Sequence, residues 1–119
     1  MEKIIKCYPL VEIINSTSYQ ASGTVGYMSG FCSKDEYTVT PNTTWKASSR
    51  GACLLTKISA VLNTPSGFIQ ATPYTSSGTS YSHFAIIQTG ANSFEVTRRV
   101  TATKDEIPAD YVEPTEKQK

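Results

Sequence analysis

The sequence predicts an all-β domain, a single antiparallel β-sandwich of about seven or eight strands. Serine and threonine make up a quarter of the chain, with 14 Ser and 16 Thr in 119 residues, and seven tyrosines join them. This composition suits pleated strands and turns more than helices. Clusters of Asn, Ser, Gly and Pro recur at short intervals and separate runs of strand composition, which is typical of a sandwich or barrel. The length fits one domain.

The predicted strands lie between these turns, and one of them shows a clean alternation. In the segment "DEYTVT", Tyr37 and Val39 face one way, while Glu36 and Thr38 face the other. We therefore expect Tyr37 inside the domain, together with Tyr27 of an earlier strand. In chain order the predicted strands span about 4–7, 10–15, 23–28, 36–40, 52–62, 67–74, 80–89 and 93–102.

The last two predicted strands differ in their patterns. The run "HFAIIQ" is apolar on both faces, which is typical of a central strand. In "NSFEVTRRV", Phe94, Val96 and Arg98 share one face. An arginine in an otherwise apolar row is expected at the edge of the core.

The segment at 54–62 has two interpretations. Leu54, Leu55, Ile58, Val61 and Leu62 form a helical stripe, yet a period of two also fits. Because the surrounding sequence favours strands, we predict a strand here. One short helix packed on the sandwich is the alternative.

The chain divides into a sandwich domain at 1–103 and a tail at 104–119. In the tail, charge density rises, prolines appear and apolar periodicity stops. We expect an extended or flexible tail, in which Ile107, Tyr111 and Val112 are available to dock on a neighbouring chain.

Charge and residue types argue against several functions. Eleven Lys and Arg against ten Asp and Glu provide no basic surface, so no nucleic acid is expected as a partner. His83 is the only histidine, and adjacent pairs such as Asp35-Glu36 point to opposite faces of a strand. No phosphate loop or metal-ligand spacing is present. We predict a protein that is not an enzyme and has no catalytic residues, metal or cofactor.

Three cysteines without a CxxC pair predict neither a disulfide framework nor a zinc site. Cys53 is interpreted as a small buried apolar residue. The segment "MEKIIKCYPLVEII" is interrupted by Lys6, Pro9 and Glu12, and does not resemble a signal peptide. We expect cytoplasmic synthesis, with any release by a leaderless route.

Rings and hydroxyl groups provide the candidate binding residues. Tyrosine and tryptophan combine an apolar body with a polar tip, which suits wet interfaces with sugars or lipid headgroups. Two segments stand out: "TPNTTWKASSRG" at 40–51, and the hydroxyl-rich stretch "TPYTSSGTSYSH" at 72–83, which is predicted to be a hairpin tip. The candidate ligand-binding residues are Trp45, Lys46, Arg50, Tyr74, Tyr81 and Tyr19. We expect Trp45 to be at least half-buried, and Arg50 to be exposed as an anion contact.

The front half of the chain resembles small β-sandwich proteins of the aegerolysin kind and related insecticidal or cytolytic toxin components. The positions that carry the resemblance are Asn15, Val25, Tyr27, Pro41, Trp45, Arg50 and Gly51. The resemblance implies recognition of membrane lipids or glycans, and a role as one component of a pore-forming pair.

Two functions are therefore expected. The first is a non-enzymatic protein that binds a glycan or a membrane-lipid headgroup, with a second toxin component as a partner. The alternative is a structural or interaction module that homo-oligomerises through sheet edges and its C-terminal tail.

Overall fold

The computed structural model describes residues 8–28 and 32–99. In this part of the chain ten strands form two sheets, and no helix is present. The predicted all-β sandwich is thus confirmed, and the ambiguous segment at 54–62 is strand. The strands are β1 (Glu12–Asn15), β2 (Gln20–Tyr27), β3 (Asp35–Val39), β4 (Thr44–Lys46), β5 (Leu55–Ile58), β6 (Val61–Thr64), β7 (Gly67–Gln70), β8 (Tyr74–Thr79), β9 (His83–Gly90) and β10 (Ser93–Arg98).

The first sheet has the strand order β10-β9-β1-β4. Strand β9, the run that is apolar on both faces, lies inside this sheet as predicted. Its pairing with β1 is parallel, while the other pairings are antiparallel. The sequence predicted a wholly antiparallel sandwich. The difference arises because the chain passes through the second sheet between β1 and β9, and a long connection allows parallel strands to meet.

The second sheet has the order β7-β6-β2-β5-β8, and β3 also pairs with β2. Along one side of β2, residues 20–22 pair with β6 and residues 25–27 pair with β5. Strands β5 and β6 are therefore two halves of one interrupted strand. On the side of these two strands that faces away from β2, β8 pairs with β5 and β7 pairs with β6. This explains why the predicted strand at 52–62 is observed as two shorter ones.

The interruption between β5 and β6 is fixed by Gly23. A side chain at this position would overlap the carbonyl oxygen of Ser59, which lies at the break. The Tyr37 hydroxyl group reaches across from β3 and donates to the same oxygen at 2.6 Å, while the Ser59 amide donates to Thr24. Gly23 lies opposite Tyr37 in the register of β2 and β3, and its missing Cβ leaves room for the Ser59 carbonyl group that the Tyr37 hydroxyl group meets.

The core lies between the two sheets, and Tyr37 is buried in it as predicted, whereas Tyr27 is only partly buried. Thr72 joins the sheets at one edge, because its amide donates to Phe94 and its carbonyl accepts from the Val96 amide. The predicted strand at 4–7, the end of the strand predicted at 93–102 and the tail at 104–119 lie outside the described residues. The largest fully buried apolar side chains are Phe84, Ile13, Leu55, Ile58, Leu62, Ile86, Val11, Val25 and Val96.

Candidate functional site

Arg50 is a structural residue inside the domain and not an exposed anion contact. Its side chain is only 6% exposed. Its guanidinium group donates to the backbone carbonyl oxygens of Pro9, Cys53, Thr79 and Tyr81, at 2.8 to 3.1 Å. The prediction that Arg50 is exposed is wrong, because the nearby Cys53 carbonyl group and three carbonyl groups from distant parts of the chain converge on it. A buried charge is tolerated when it is hydrogen-bonded in this way.

A disulfide bond joins Cys32 to Cys53, with a Cα–Cα distance of 6.1 Å. The predictions that the cysteines form no disulfide and that Cys53 is a free buried residue are therefore wrong. Pairing of β2 with β5 places Tyr27 opposite Leu55, which brings the chain after β2 close to the turn before β5. The odd count of cysteines and the absence of a CxxC pair concealed this disulfide from sequence reasoning.

Trp45 is partly buried, as expected, and its ring packs on the core. On β4 it lies opposite Ile13, and its ring is 5.3 Å from that of Tyr37. Lys46 is exposed, and its Nζ atom lies 3.7 Å from a carboxylate oxygen of Glu12. Trp45 therefore faces the interior, while Lys46 points to solvent from the outer face of the first sheet.

The three candidate tyrosines are also partly buried against the core. Tyr19 meets the edge of Phe94, and Tyr74 packs on Phe84 with ring centres 4.9 Å apart. The Arg98 guanidinium group lies over the Tyr81 ring at 3.6 Å, which places this arginine at the edge of the core as the alternation predicted. Phe94 and Trp45 lie on opposite edge strands of the first sheet. The candidate rings therefore do not form one surface.

A small polar cluster surrounds the histidine. His83 lies 3.2 Å from the Ser82 hydroxyl group through Nδ1, and 3.9 Å from Glu12 through Nε2. The serine is only 6% exposed, so this contact offers no accessible nucleophile. The described residues contain no group of three or more His, Cys, Asp or Glu that is able to hold a metal ion. Nor does that part of the chain include a helix long and apolar enough to cross a membrane.

A polar cleft lies beside the disulfide, with a volume of about 400 Å³. The Tyr27 hydroxyl group donates to the Asp35 carboxylate at 2.9 Å on its wall. Burial, and then this hydrogen bond, raise the pKa of Tyr27 well above its usual range. Arg50 and the disulfide form other parts of the wall, so the cleft lies beside groups that brace the fold.

The accessible surface with the most suitable chemistry lies on the outer face of the second sheet. Opposite residues of antiparallel strands share a face, and Ala21, Val39, Leu62 and Ile69 point inward. Their neighbours along the strands therefore point outward. We call this surface the Phe68 face. It consists of Gln20, Ser22, Thr24, Glu36, Thr38, Val61, Asn63, Phe68 and Gln70.

Phe68 is 76% exposed, the most exposed large apolar side chain in the described part of the chain. A tight turn fixes its position, because the Thr64 hydroxyl group donates to Gly67 and accepts from the Ser66 amide. Gly67 has a φ of 114°, which favours glycine. This turn sets the register that places Ile69 against the core, so Phe68 must point to solvent.

Amide side chains lie in the same row as this ring. Asn63 is directly opposite Phe68 on β6, and Gln20 is opposite Asn63 on β2. All three residues are exposed. The row thus presents an aromatic ring and then two primary amides, each with donors and an acceptor.

A shallow groove of about 370 Å³ lies at the other end of the Phe68 face. The Ser22, Thr24, Glu36 and Thr38 side chains line it, with Gly23 and Tyr37 between them. The distance from β7 to β3 across two intervening strands is about 14 Å, given the usual strand spacing. Ring, amides and groove therefore lie within reach of one extended ligand.

Sequence reasoning missed Phe68, Asn63 and Gln20. The turn at 63–67 and a strand from 67 were predicted, but the faces of that strand were not assigned. The signal is the pairing of Leu62 with Ile69 as the inward residues of a hairpin. Once these two are placed inside, Asn63 and Phe68 must both lie outside.

The comparisons with known proteins returned no match: no family model, no curated protein and no solved structure is significantly similar to this chain.

Proposed function

We propose that the protein is a non-enzymatic binding protein that recognises a glycan through the Phe68 face. The observation that carries this proposal is the exposure of Phe68 on a surface whose other side chains, apart from Val61, are polar. An isolated ring at 76% exposure costs solvation free energy in the free protein. Contact with the apolar face of a sugar ring would recover it.

The groups around the ring suit the rest of a sugar. A sugar hydroxyl group both donates and accepts hydrogen bonds, and it needs partners of both kinds. Asn63 and Gln20 provide amide donors and acceptors beside the ring, and the groove provides the hydroxyl groups of Ser22 and Thr38. A few well-placed polar groups beside an apolar contact are typical of ligand sites.

A glycan fits this face better than a charged lipid headgroup does. No lysine or arginine lies among the nine outward residues that form the Phe68 face. Lys57 points outward from the same sheet, but it lies opposite Gly26 on β5, at the end of the sheet away from Phe68. A headgroup phosphate beside Phe68 would therefore find no cation. Lys46 lies on the outer face of the other sheet.

The disulfide bond supports a role outside a reducing compartment. Disulfides form and persist in oxidising environments and are rare in the cytosol. Cys32–Cys53 is therefore suited to a protein that meets glycans at a cell surface. A place in a two-component toxin stays a prediction from the resemblance of the front half.

Binding to a glycan array and to phosphatidylcholine and phosphatidylserine vesicles, with the wild type, two variants of Phe68 and one control variant, tests the proposal. The wild type is expected to bind glycans. The affinity of Phe68→Ala is expected to be at least about tenfold lower, whereas Phe68→Tyr is expected to retain binding because it keeps the ring. Thr44→Ala, an exposed hydroxyl deletion on the other sheet, serves as the control.

Two outcomes would contradict the proposal. One is glycan binding that Phe68→Ala leaves unchanged. The other is binding to the vesicles with no glycan bound at micromolar protein.

Self-association is a second candidate function, and one observation favours it. Phe68 lies on β7, which is an edge strand of the second sheet, and an edge strand offers unpaired backbone groups to another chain. Sedimentation across a range of concentrations tests this function. A dimer that Phe68→Ala disrupts supports it, and a wild-type monomer at high concentration excludes it.

A further inference from the structure

We infer that the Phe68 face selects uncharged glycans, and that Glu36 is the residue that determines this specificity. The inference rests on the proposed function, and it names the substrate class of the same site. It starts from the charges on the four strands that form the face, β3, β2, β6 and β7.

Glu36 is the only ionisable side chain on the Phe68 face. The other eight residues carry hydroxyl groups, amides or apolar groups. Two exposed lysines flank the end of the groove: Lys34 precedes β3, and Lys57 points outward from β5 opposite Gly26. Within the groove itself, Glu36 is the one charged side chain in the lining.

The position of Glu36 places that charge in the groove. Glu36 lies opposite Thr24 in the register of β3 and β2, next to Ser22 and Thr38 in the groove wall. Its side chain is exposed, and it forms no ion pair with another described residue. The carboxylate is thus open to a ligand.

The chemistry of a free carboxylate gives the selectivity. A glutamate side chain is negatively charged at neutral pH and acts only as a hydrogen-bond acceptor. Its two oxygens accept hydrogen bonds from two hydroxyl groups of one sugar ring. A sulfate or carboxylate group of an acidic glycan offers no such donor, and like charges repel each other.

The magnitude of the repulsion follows from Coulomb's law. Two unit charges about 4 Å apart in a fully hydrated site change an affinity about fivefold. The groove is open and shallow, so the expected discrimination is of this order. It should shrink as salt is added, because salt screens exposed charges.

Oligosaccharides presented as matched pairs, neutral and sulfated on the same sugar backbone, provide the test. The wild type is expected to bind the neutral members at least about fivefold more tightly. In Glu36→Gln the two affinities are expected to become similar, because binding of the neutral oligosaccharide weakens and binding of the sulfated one strengthens. Glu95→Gln, on the other sheet, is the control and should leave the preference unchanged.

The outcomes separate this inference from the proposed function. A wild type that prefers sulfated members, or a Glu36→Gln variant with unchanged preference, overturns the assignment of Glu36 while glycan binding stands. A wild type that binds no glycan overturns the proposed function and the inference with it. Because Glu36 is exposed and glutamine has nearly the same shape, the thermal midpoint of Glu36→Gln should match that of the wild type.

Discussion

Residue types suggest an exposed binding surface for the segment at 40–51 and an ordinary structural part for the hairpin at 63–70. The exposure of their side chains is the reverse of this expectation. The first holds Trp45, Lys46 and Arg50, the usual residues of a binding surface, yet Arg50 is hydrogen-bonded inside and Trp45 packs on Tyr37. The second holds ordinary strand and turn residues, yet it presents the most exposed ring in the described chain, Phe68.

The register of the strands decides which side chains of the two segments are exposed to a ligand. Trp45 lies opposite Ile13, so its ring faces the core. Phe68 lies next to Ile69, and the alternation that buries one exposes the other. Residue type gives a list of candidates, but the pairing of strands decides which of them a ligand is able to reach.

Arg50→Ala should produce the largest effect, a loss of about 4 kcal/mol in the free energy of unfolding, because four buried or partly buried carbonyl groups lose a charged donor. Chemical denaturation measures this change. Lys46→Ala is the matched control, and it should change stability by less than about 1 kcal/mol, since its ion pair with Glu12 is exposed. Similar losses of unfolding free energy in Arg50→Ala and Lys46→Ala would contradict the claim that only Arg50 supports the fold.

Loss of the disulfide should have the next largest effect, about 3 kcal/mol, because Cys32–Cys53 closes a loop with a sequence separation of 21. Thermal unfolding of the wild type with and without reductant measures this loss. The double variant Cys32→Ala/Cys53→Ala should match the reduced wild type and show no response to reductant. A wild type that is equally stable in both conditions would contradict a bracing role for the disulfide beside Arg50.

Tyr37→Phe should have a smaller and pH-dependent effect. Near neutral pH the variant loses one partly buried hydrogen bond to Ser59, worth about 1 kcal/mol. Burial raises the pKa of Tyr37 well above its usual range. The folded state therefore keeps its proton where the unfolded state has lost it. The stabilising contribution is full below about pH 10 and falls as the pH rises further.

The measurement for Tyr37 is the free energy of unfolding at neutral and at strongly alkaline pH. The wild type should lose more stability on alkalinisation than Tyr37→Phe does. Equal losses would mean that ionisation of Tyr37 is not linked to folding.

The sequence predicted the local features of the fold and missed the non-local ones. Alternation in "DEYTVT" placed Tyr37 and Val39 inside correctly, and "HFAIIQ" was correctly assigned to an inner strand. The break at Ser59 was not predicted, because it depends on Gly23 in another strand.

The same limit explains the errors at the candidate site. The partners of Arg50 include Pro9 and Tyr81, far away in the chain, and no local pattern shows that they converge. The disulfide depends on the pairing of β2 with β5. Exposure of Phe68 was within reach of sequence reasoning, since it follows from a hairpin register of only a few residues.

The central claim is that ligands meet the Phe68 face while the Trp45 segment serves the fold. The most direct test is an NMR titration of the wild type with a neutral oligosaccharide that binds on the array. The account predicts shifts at the backbone amides of Asn63 and Phe68 and at the side-chain amide of Gln20. The indole N–H signal of Trp45, the only tryptophan, should stay in place. Movement of the Trp45 signal with Phe68 and Asn63 unchanged would contradict the account.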